Sequence, residues 1–267
     1  DTLNSGDGDD RLTGGAGNDI LAGGTGYDVV DYRSSTAGIL ANLDSVSQTL
    51  NGTAVAAGTV RDGLGGTDTV SGIENVYGSA YADWLIGSSA AETFIGGAGN
   101  DSINGGAGID RADYSTSTAG VRVNLDSVSQ TLNGVVVAAS TASDGFGGID
   151  TLTSIERVQG SSYADWMIGG AAADTFAGGA GNDTLNGGAG IDTLDYSGST
   201  AGALVNLSSA SQTLNATAVA AGTARDGLGG TDTLSNLENM TGSDYNDFLY
   251  GSAAANLFDS GAGNDWL

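Results

Sequence analysis

The chain has 267 residues, 47 of them glycine, with 32 acidic and 7 basic side chains, no cysteine, no histidine and a formal net charge of -25. That composition excludes a disulfide framework, thiolate metal sites and a Ser/His/Asp triad, and its sign of charge argues against a nucleic-acid partner. Glycine loses the most backbone entropy on folding and like charges oppose compaction, so order requires a compensating term beyond ordinary packing. The 39% apolar residues, regularly spaced, argue for a core.

In chain order, Asp1-Thr2-Leu3-Asn4 matches the stretch 183–186, and the motif that begins at Gly14 as "GGAGNDILAGGTGYDVV" returns at Gly96 and Gly178, a period of 82 residues. A partial copy starts at Ser260 as "SGAGNDWL". The reading is the end of a preceding repeat at 1–13, repeat units at 14–95, 96–177 and 178–259, and the start of a further unit at 260–267, as if taken from a longer array. No apolar run approaches the roughly 18 residues of a membrane helix, and no start resembles a signal peptide, so membrane insertion is not expected.

Each unit opens with glycine-rich nonapeptides of the form G-G-x-G-x-D-x-U-x. The apolar U position holds Leu12, Leu21, Val30, Leu85, Phe94, Ile103, Met167, Phe176, Leu185, Leu194, Leu249 and Phe258. A three-residue strand x-U-x points one apolar side chain inward, the glycines permit the turn back, and two nonapeptides close one coil. The sixth position holds Asp10, Asp19, Asp28, Asp83, Asp101, Asp110, Asp165, Asp174, Asp183, Asp192, Asp247 and Asp265, with Asp68, Asp150 and Asp232 in a related "GGxD" setting. Units two apart stack, which places Asp10 over Asp28, Asp83 over Asp101, and Asp165 over Asp183. Stacked carboxylates repel unless a cation lies between them. A hard divalent ion takes six to eight oxygens at about 2.3 to 2.6 Å, and glycine turns expose carbonyls to complete the set. Calcium, several ions per chain, is the predicted ligand of these aspartates. Glu92 and Asn256 stand where Asp is expected, which predicts weak or empty sites there.

After the nonapeptides comes strand-like sequence, exemplified by "AGVRVNL" ending at Leu125, and then an excursion at 44–62, repeated at 126–144 and 208–226. Its apolar "AVAAG" and "VVVAAS" stretches favour a cover over the repeats rather than a partner-binding protrusion. Asp44 and Asp126 read as solvated turn residues, because Ser208 replaces them in the third copy. The half-unit "GIENVY" gives Glu74, Glu156 and Glu238 a weak claim on a metal, and a tightened turn is expected instead. Trp84, Trp166 and Phe248 occupy the outward seventh position, each with a Tyr three residues earlier (Tyr81, Tyr163, Tyr245). A cover or an aromatic ladder for a sugar or a neighbouring protomer would each account for them.

The nonapeptides resemble the G-G-x-G-x-D-x-U-x repeat of RTX proteins, calcium-binding β-roll modules of exported bacterial proteins. The resemblance implies calcium-dependent folding after export, commonly through a type I secretion channel. The predicted fold is all-β, a right-handed parallel β-roll stacked as a solenoid, with a short strand-bearing insertion once per 82 residues. The predicted function is a noncatalytic structural segment of a secreted or cell-surface protein: an adhesin stalk, extracellular layer or fibre component. The alternative is a noncatalytic module attached to a polysaccharide-modifying enzyme, protease or toxin. Calcium is the expected partner, self-association or covalent continuation in an array is expected, and a glycan or cell-surface partner is left open.

Overall fold

A triplet of strand residues cannot satisfy its own backbone donors and acceptors, so each x-U-x segment must take its hydrogen bonds from the triplet one coil away. A computed structural model describes residues 1–267 and shows this arrangement throughout, with strands and turns as its regular elements and no α-helix. The chain forms two compact units, Asp1–Asp113 with Phe146–Ile155, and Tyr114–Gly145 with Glu156–Leu267.

In the first unit one sheet runs Thr2–Asp7, Ile20–Thr25, Thr67–Ser71, Thr59–Arg61, Leu40–Asn42, Trp84–Ile86, Ser102–Asn104 and Ile149–Thr153 in spatial order. The other runs Arg11–Leu12, Val29–Asp31, Asn75–Tyr77, Thr93–Ile95 and Arg111–Asp113. Parallel register places the eighth-position residues on rungs: Leu85 beside Ile103 and Leu152 in one sheet, and Leu12, Val30, Val76, Phe94 and Ala112 in the other. The second unit repeats this, with Met167, Leu185 and Leu234 on one rung and Val158, Phe176, Leu194, Met240 and Phe258 on the other. Phe94 and Phe176 are completely buried, and of the predicted inward positions only Phe258 is partly exposed. Each unit is therefore a parallel β-roll in which one apolar residue per nonapeptide builds the core.

The excursion is woven into the roll. Thr59–Arg61 lies antiparallel between Leu40–Asn42 and Thr67–Ser71, and Thr223–Arg225 does the same between Leu204–Asn206 and Thr231–Ser235. Ahead of each stands a two-stranded hairpin, Gln48–Leu50 with Thr53–Val55 in the first copy. Its turn is Asn51-Gly52, both with positive φ (45° and 72°), as a two-residue hairpin turn matched to strand twist demands. The third copy makes the same turn with Asn215-Ala216, so an alanine sits at φ 57°. Leu50 and Val55 are buried while Thr49 and Ala54 are exposed, so one face of the hairpin packs inward. A buried amide fixes it: Asn42 Nδ2 donates to the carbonyls of Val46, Val55 and Ala56 at 2.9, 3.2 and 3.0 Å, and Asn206 repeats this pattern.

Candidate metal sites

Two kinds of turn alternate along the rolls, and the second unit holds a clear pair. At Gly178–Asp183 the second and fourth positions are Gly179 and Gly181, with φ of 91° and 139°. A Cβ on Gly179 would overlap the Ser161 carbonyl oxygen, and one on Gly181 would sit 2.6 Å from the Tyr163 carbonyl oxygen. A Cβ on the first glycine, Gly178, would overlap Asp183 Oδ2. Glycine is thus required both for the backbone angle and for the close approach of carbonyls and a carboxylate oxygen to the turn. The first unit shows the same cradle at Gly23, where a Cβ would overlap the Gly72 carbonyl oxygen and lie 2.6 Å from Asp28 Oδ2.

The sixth-position carboxylates form ladders. One oxygen of each accepts the backbone N–H of its counterpart one coil earlier. Asp10 donates to Asp28 Oδ1 at 2.9 Å, Asp83 to Asp101 Oδ1 at 2.9 Å, Asp165 to Asp183 Oδ1 at 2.9 Å, Asp174 to Asp192 Oδ1 at 2.8 Å and Asp247 to Asp265 Oδ1 at 3.0 Å. Across the insertion Asp19 donates to Asp68 Oδ1, Asp101 to Asp150 Oδ1 and Asp183 to Asp232 Oδ1, each at 3.0 Å. Glu92 donates in the same way to Asp110 Oδ1 at 2.8 Å. This leaves the second oxygen for something else. In Asp10, Asp19, Asp28, Asp183 and Asp192 Oδ2 is buried and has no hydrogen-bond donor.

The second kind of turn satisfies itself. In Gly160–Asp165 a serine replaces the second glycine, and Asp165 accepts the Ser161 hydroxyl (2.8 Å) and the Val121 N–H (2.7 Å) on Oδ1 and the Ser161 N–H (2.7 Å) on Oδ2. Asp83 with Ser79 and Ile39, and Asp247 with Ser243 and Ala203, repeat it. These three aspartates pin the start of each insertion to the roll, and neither of their oxygens is unpartnered. Asp174 has its Oδ2 taken by the Gly170 N–H at 2.7 Å. The substituted positions follow suit: both Glu92 oxygens accept from Ser88, and Asn256 Oδ1 accepts the Ser252 N–H at 2.9 Å.

Burial raises the proton affinity of Asp83, Asp165, Asp174, Asp183 and Asp192. Asp183 is pushed up to about 8, first by burial and then by the charges of Asp232, Asp165 and Asp226. Asp165, with its three donors, is pushed up by burial only to about 6. Asp232 is also raised to about 6, with Tyr196 O–H donating to its Oδ2 at 2.6 Å. Tyr32 does the same for Asp68 at 3.0 Å.

The donor set fits a hard cation. No three His, Cys, Asp or Glu side chains gather into a metal-holding group, so a divalent ion needs further oxygens from backbone carbonyls or water, and the glycine cradles bring carbonyls close. Candidate carboxylate ligands are those with a buried, donor-free oxygen at a glycine turn.

Sequence reasoning missed two features of the sites. Glu74 and Glu238 do lie in a tightened turn, with positive φ at Gly72 (58°) and Asn236 (49°), yet they also continue the ladder, accepting the N–H of Asp28 and Asp192 at 2.9 and 3.0 Å. A Glu in a loop that returns after 46 residues instead of 49 was the available signal. Asp62 and Asp226, fully buried with Oδ2 unpartnered, were also missed. The outward aromatics Trp84, Trp166 and Phe248 are half-buried: Arg122 lies over the Trp166 ring at 5.5 Å, and Phe248 stacks on Trp266 at 6.3 Å, while Tyr81, Tyr163 and Tyr245 stay exposed. Asp44 and Asp126 hold Gln48 and Gln130 at the hairpin entrance, at 2.8 and 2.6 Å, away from the ladders.

No curated protein matches the chain. The RTX calcium-binding nonapeptide repeat matches it in four copies, at residues 1–30, 77–112, 159–194 and 238–267, the segments that carry the glycine cradles and most of the carboxylate ladders. With its parallel rolls and its repeat matched across the chain, this protein belongs to the family of RTX calcium-binding repeat proteins.

Proposed function

We propose that the chain is a calcium-dependent, noncatalytic structural segment of a secreted or cell-surface protein, exported unfolded by a type I route and ordered outside the cell. One observation supports this reading most: buried carboxylate oxygens without donors, stacked in register, lie beside turns whose glycines leave no room for a Cβ. Such oxygens are unfavourable by themselves, because a buried charge without a partner is strongly destabilising. Calcium, when bound, supplies the positive charge and the Lewis-acid coordination that the stacked oxygens lack. Asp19, Asp28, Asp183 and Asp192 are the ligands best placed to hold it, with turn carbonyls such as those of Ser161 and Tyr163. Asp10 and Asp101 extend the same ladders. Asp83, Asp165 and Asp247 instead orient the neighbouring turn and anchor the insertion.

With no disulfide available, the fold can stay open where free calcium is scarce and close where it is plentiful, since the ladder carboxylates repel one another until neutralised. No helix of the structure is long and apolar enough to cross a membrane. Continuation of the 82-residue period in a longer array, as in a stalk or fibre, belongs to the same proposal. Far-ultraviolet circular dichroism in chelator and in millimolar calcium tests it. The expected result is an unfolded spectrum that converts to β structure on calcium addition, and a folded, chelator-insensitive spectrum contradicts it.

A further inference from the structure

We propose that the turn by which each insertion returns to its roll, Asp62–Asp68 in the first unit and Asp226–Asp232 in the second, holds a divalent cation of its own. This rests on the calcium-binding reading of the rolls and extends it to residues outside the matched nonapeptides, because 62–68 and 226–232 fall between the matched segments. The key residue, Asp62 or Asp226, precedes the turn's first glycine, where the nine-residue repeat has no requirement for a carboxylate.

Asp62 Oδ1 accepts the N–H groups of Leu64 and Gly66, both at 2.8 Å, and Asp226 Oδ1 accepts those of Leu228, Gly229 and Gly230 at 2.8, 2.9 and 2.8 Å. That accounts for one oxygen and the shape of the turn. The other is unexplained: Asp62 and Asp226 are fully buried, and Oδ2 of each has no donor. Both Oδ2 atoms point at the same feature. A Cβ on Gly66 would sit 2.6 Å from Asp62 Oδ2 and overlap the Gly17 carbonyl oxygen of the preceding coil. A Cβ on Gly230 would sit 2.5 Å from Asp226 Oδ2 and overlap the Gly181 carbonyl oxygen. Two copies of the chain's own sequence thus bring a buried carboxylate oxygen and a carbonyl oxygen from another coil to a spot kept clear of side-chain atoms. The adjoining Asp19 and Asp183 contribute further buried, donor-free Oδ2 atoms at those coils.

Oxygen-only donors of mixed carboxylate and carbonyl type suit calcium, which tolerates irregular geometry, better than magnesium, which demands a near-ideal octahedron. A cation here would tie three pieces of chain together. The Ser35 and Ser199 hydroxyls already hold the carbonyls of Asp62 and Asp226, and Asn18 and Asn182 accept the N–H of Thr67 and Thr231 at 2.8 Å. Closure of the insertion onto the roll would then respond to calcium together with the roll itself. The rival is a proton on Oδ2, donated to the Gly17 or Gly181 carbonyl.

Crystals of the whole chain grown in calcium, measured at a wavelength where calcium scatters anomalously, separate the two. The expected result is a peak at about 2.3 to 2.6 Å from Asp62 Oδ2 and Gly17 O, and likewise from Asp226 Oδ2 and Gly181 O. Peaks at the nonapeptide turns with none at these positions overturn this inference alone, whereas a crystal without any peak overturns the calcium reading of the roll. Equilibrium dialysis of D62N/D226N gives an independent count, since Asn keeps the Oδ1 acceptor and removes the anionic Oδ2. One ion fewer per substituted turn, with the β spectrum retained in calcium, supports the site, and an unchanged count overturns it; should the variant not fold, the wild-type anomalous peaks decide.

Discussion

The turns Gly160–Asp165 and Gly178–Asp183 are neighbours in the same roll, share a sixth-position aspartate, and solve the same electrostatic problem in opposite ways. The first spends a serine on it: Ser161 supplies a hydroxyl and an amide to Asp165, and Val121 supplies another amide. The second replaces that serine with a glycine at φ 91°, gives Asp183 one amide on Oδ1, and leaves Oδ2 bare. On the proposed calcium-binding reading, the aspartate alone does not mark a ligand; the surroundings of its second oxygen do.

Swapping turn character should break the comparison most severely. Gly179→Ala places a Cβ against the Ser161 carbonyl oxygen at a left-handed φ, so a loss of about 3 kcal/mol is expected from the backbone penalty and the overlap together. Urea unfolding in saturating calcium measures it. The equivalent position of the serine turn, Ser161, already carries a Cβ.

Acidity sharpens the comparison. The carboxyl of Asp183 is raised to about 8 and that of Asp165 to about 6, against an ordinary value of 3.8, in both cases chiefly by burial. A raised carboxyl stabilises the calcium-free fold at low pH, fully so below the unfolded value, and that contribution is lost as pH rises through the folded value. Calcium needs the deprotonated form, so its binding runs the other way and releases protons. The calcium midpoint should therefore rise by up to about tenfold per pH unit, per proton released, as pH falls below about 8. Calcium titrations between pH 6 and 9 check this; a dependence confined to the region below 6 would assign the binding to the Asp165 kind of turn.

Much of this organisation was legible in the sequence, and the boundary of what was legible is physical. The eighth-position residues were readable because burial of one apolar side chain per nine leaves a strict period, and their parallel register follows from it; Leu85, Ile103 and Leu185 sit on rungs as that period requires. The stacking of Asp165 over Asp183 followed from the same period. Hydrogen-bond satisfaction leaves no period. Whether Asp165 or Asp183 has a free oxygen depends on Ser161 and on Val121, which lies 44 residues away, so the two aspartates look alike in the repeat. The hairpin did carry a local signal, Asn51-Gly52 and its copy at Asn133-Gly134, and it was obscured by reading the excursion for apolarity alone. The third copy exposes the turn chemistry by departing from it: Ala216→Gly should relieve the positive-φ alanine and stabilise the chain by about 1 kcal/mol, read as a small rise in thermal midpoint in calcium.

The central claim, that a bare second oxygen and not the sixth-position aspartate as such identifies a calcium ligand, is tested most directly by counting bound calcium and measuring its midpoint in D183N and D165N side by side. The account predicts that D183N binds fewer ions or needs more calcium to fold. It predicts that D165N, which loses an acceptor for the Ser161 amide, is less stable in saturating calcium but keeps the wild-type ion count. Equal ion loss in both variants, or loss in D165N alone, would contradict it.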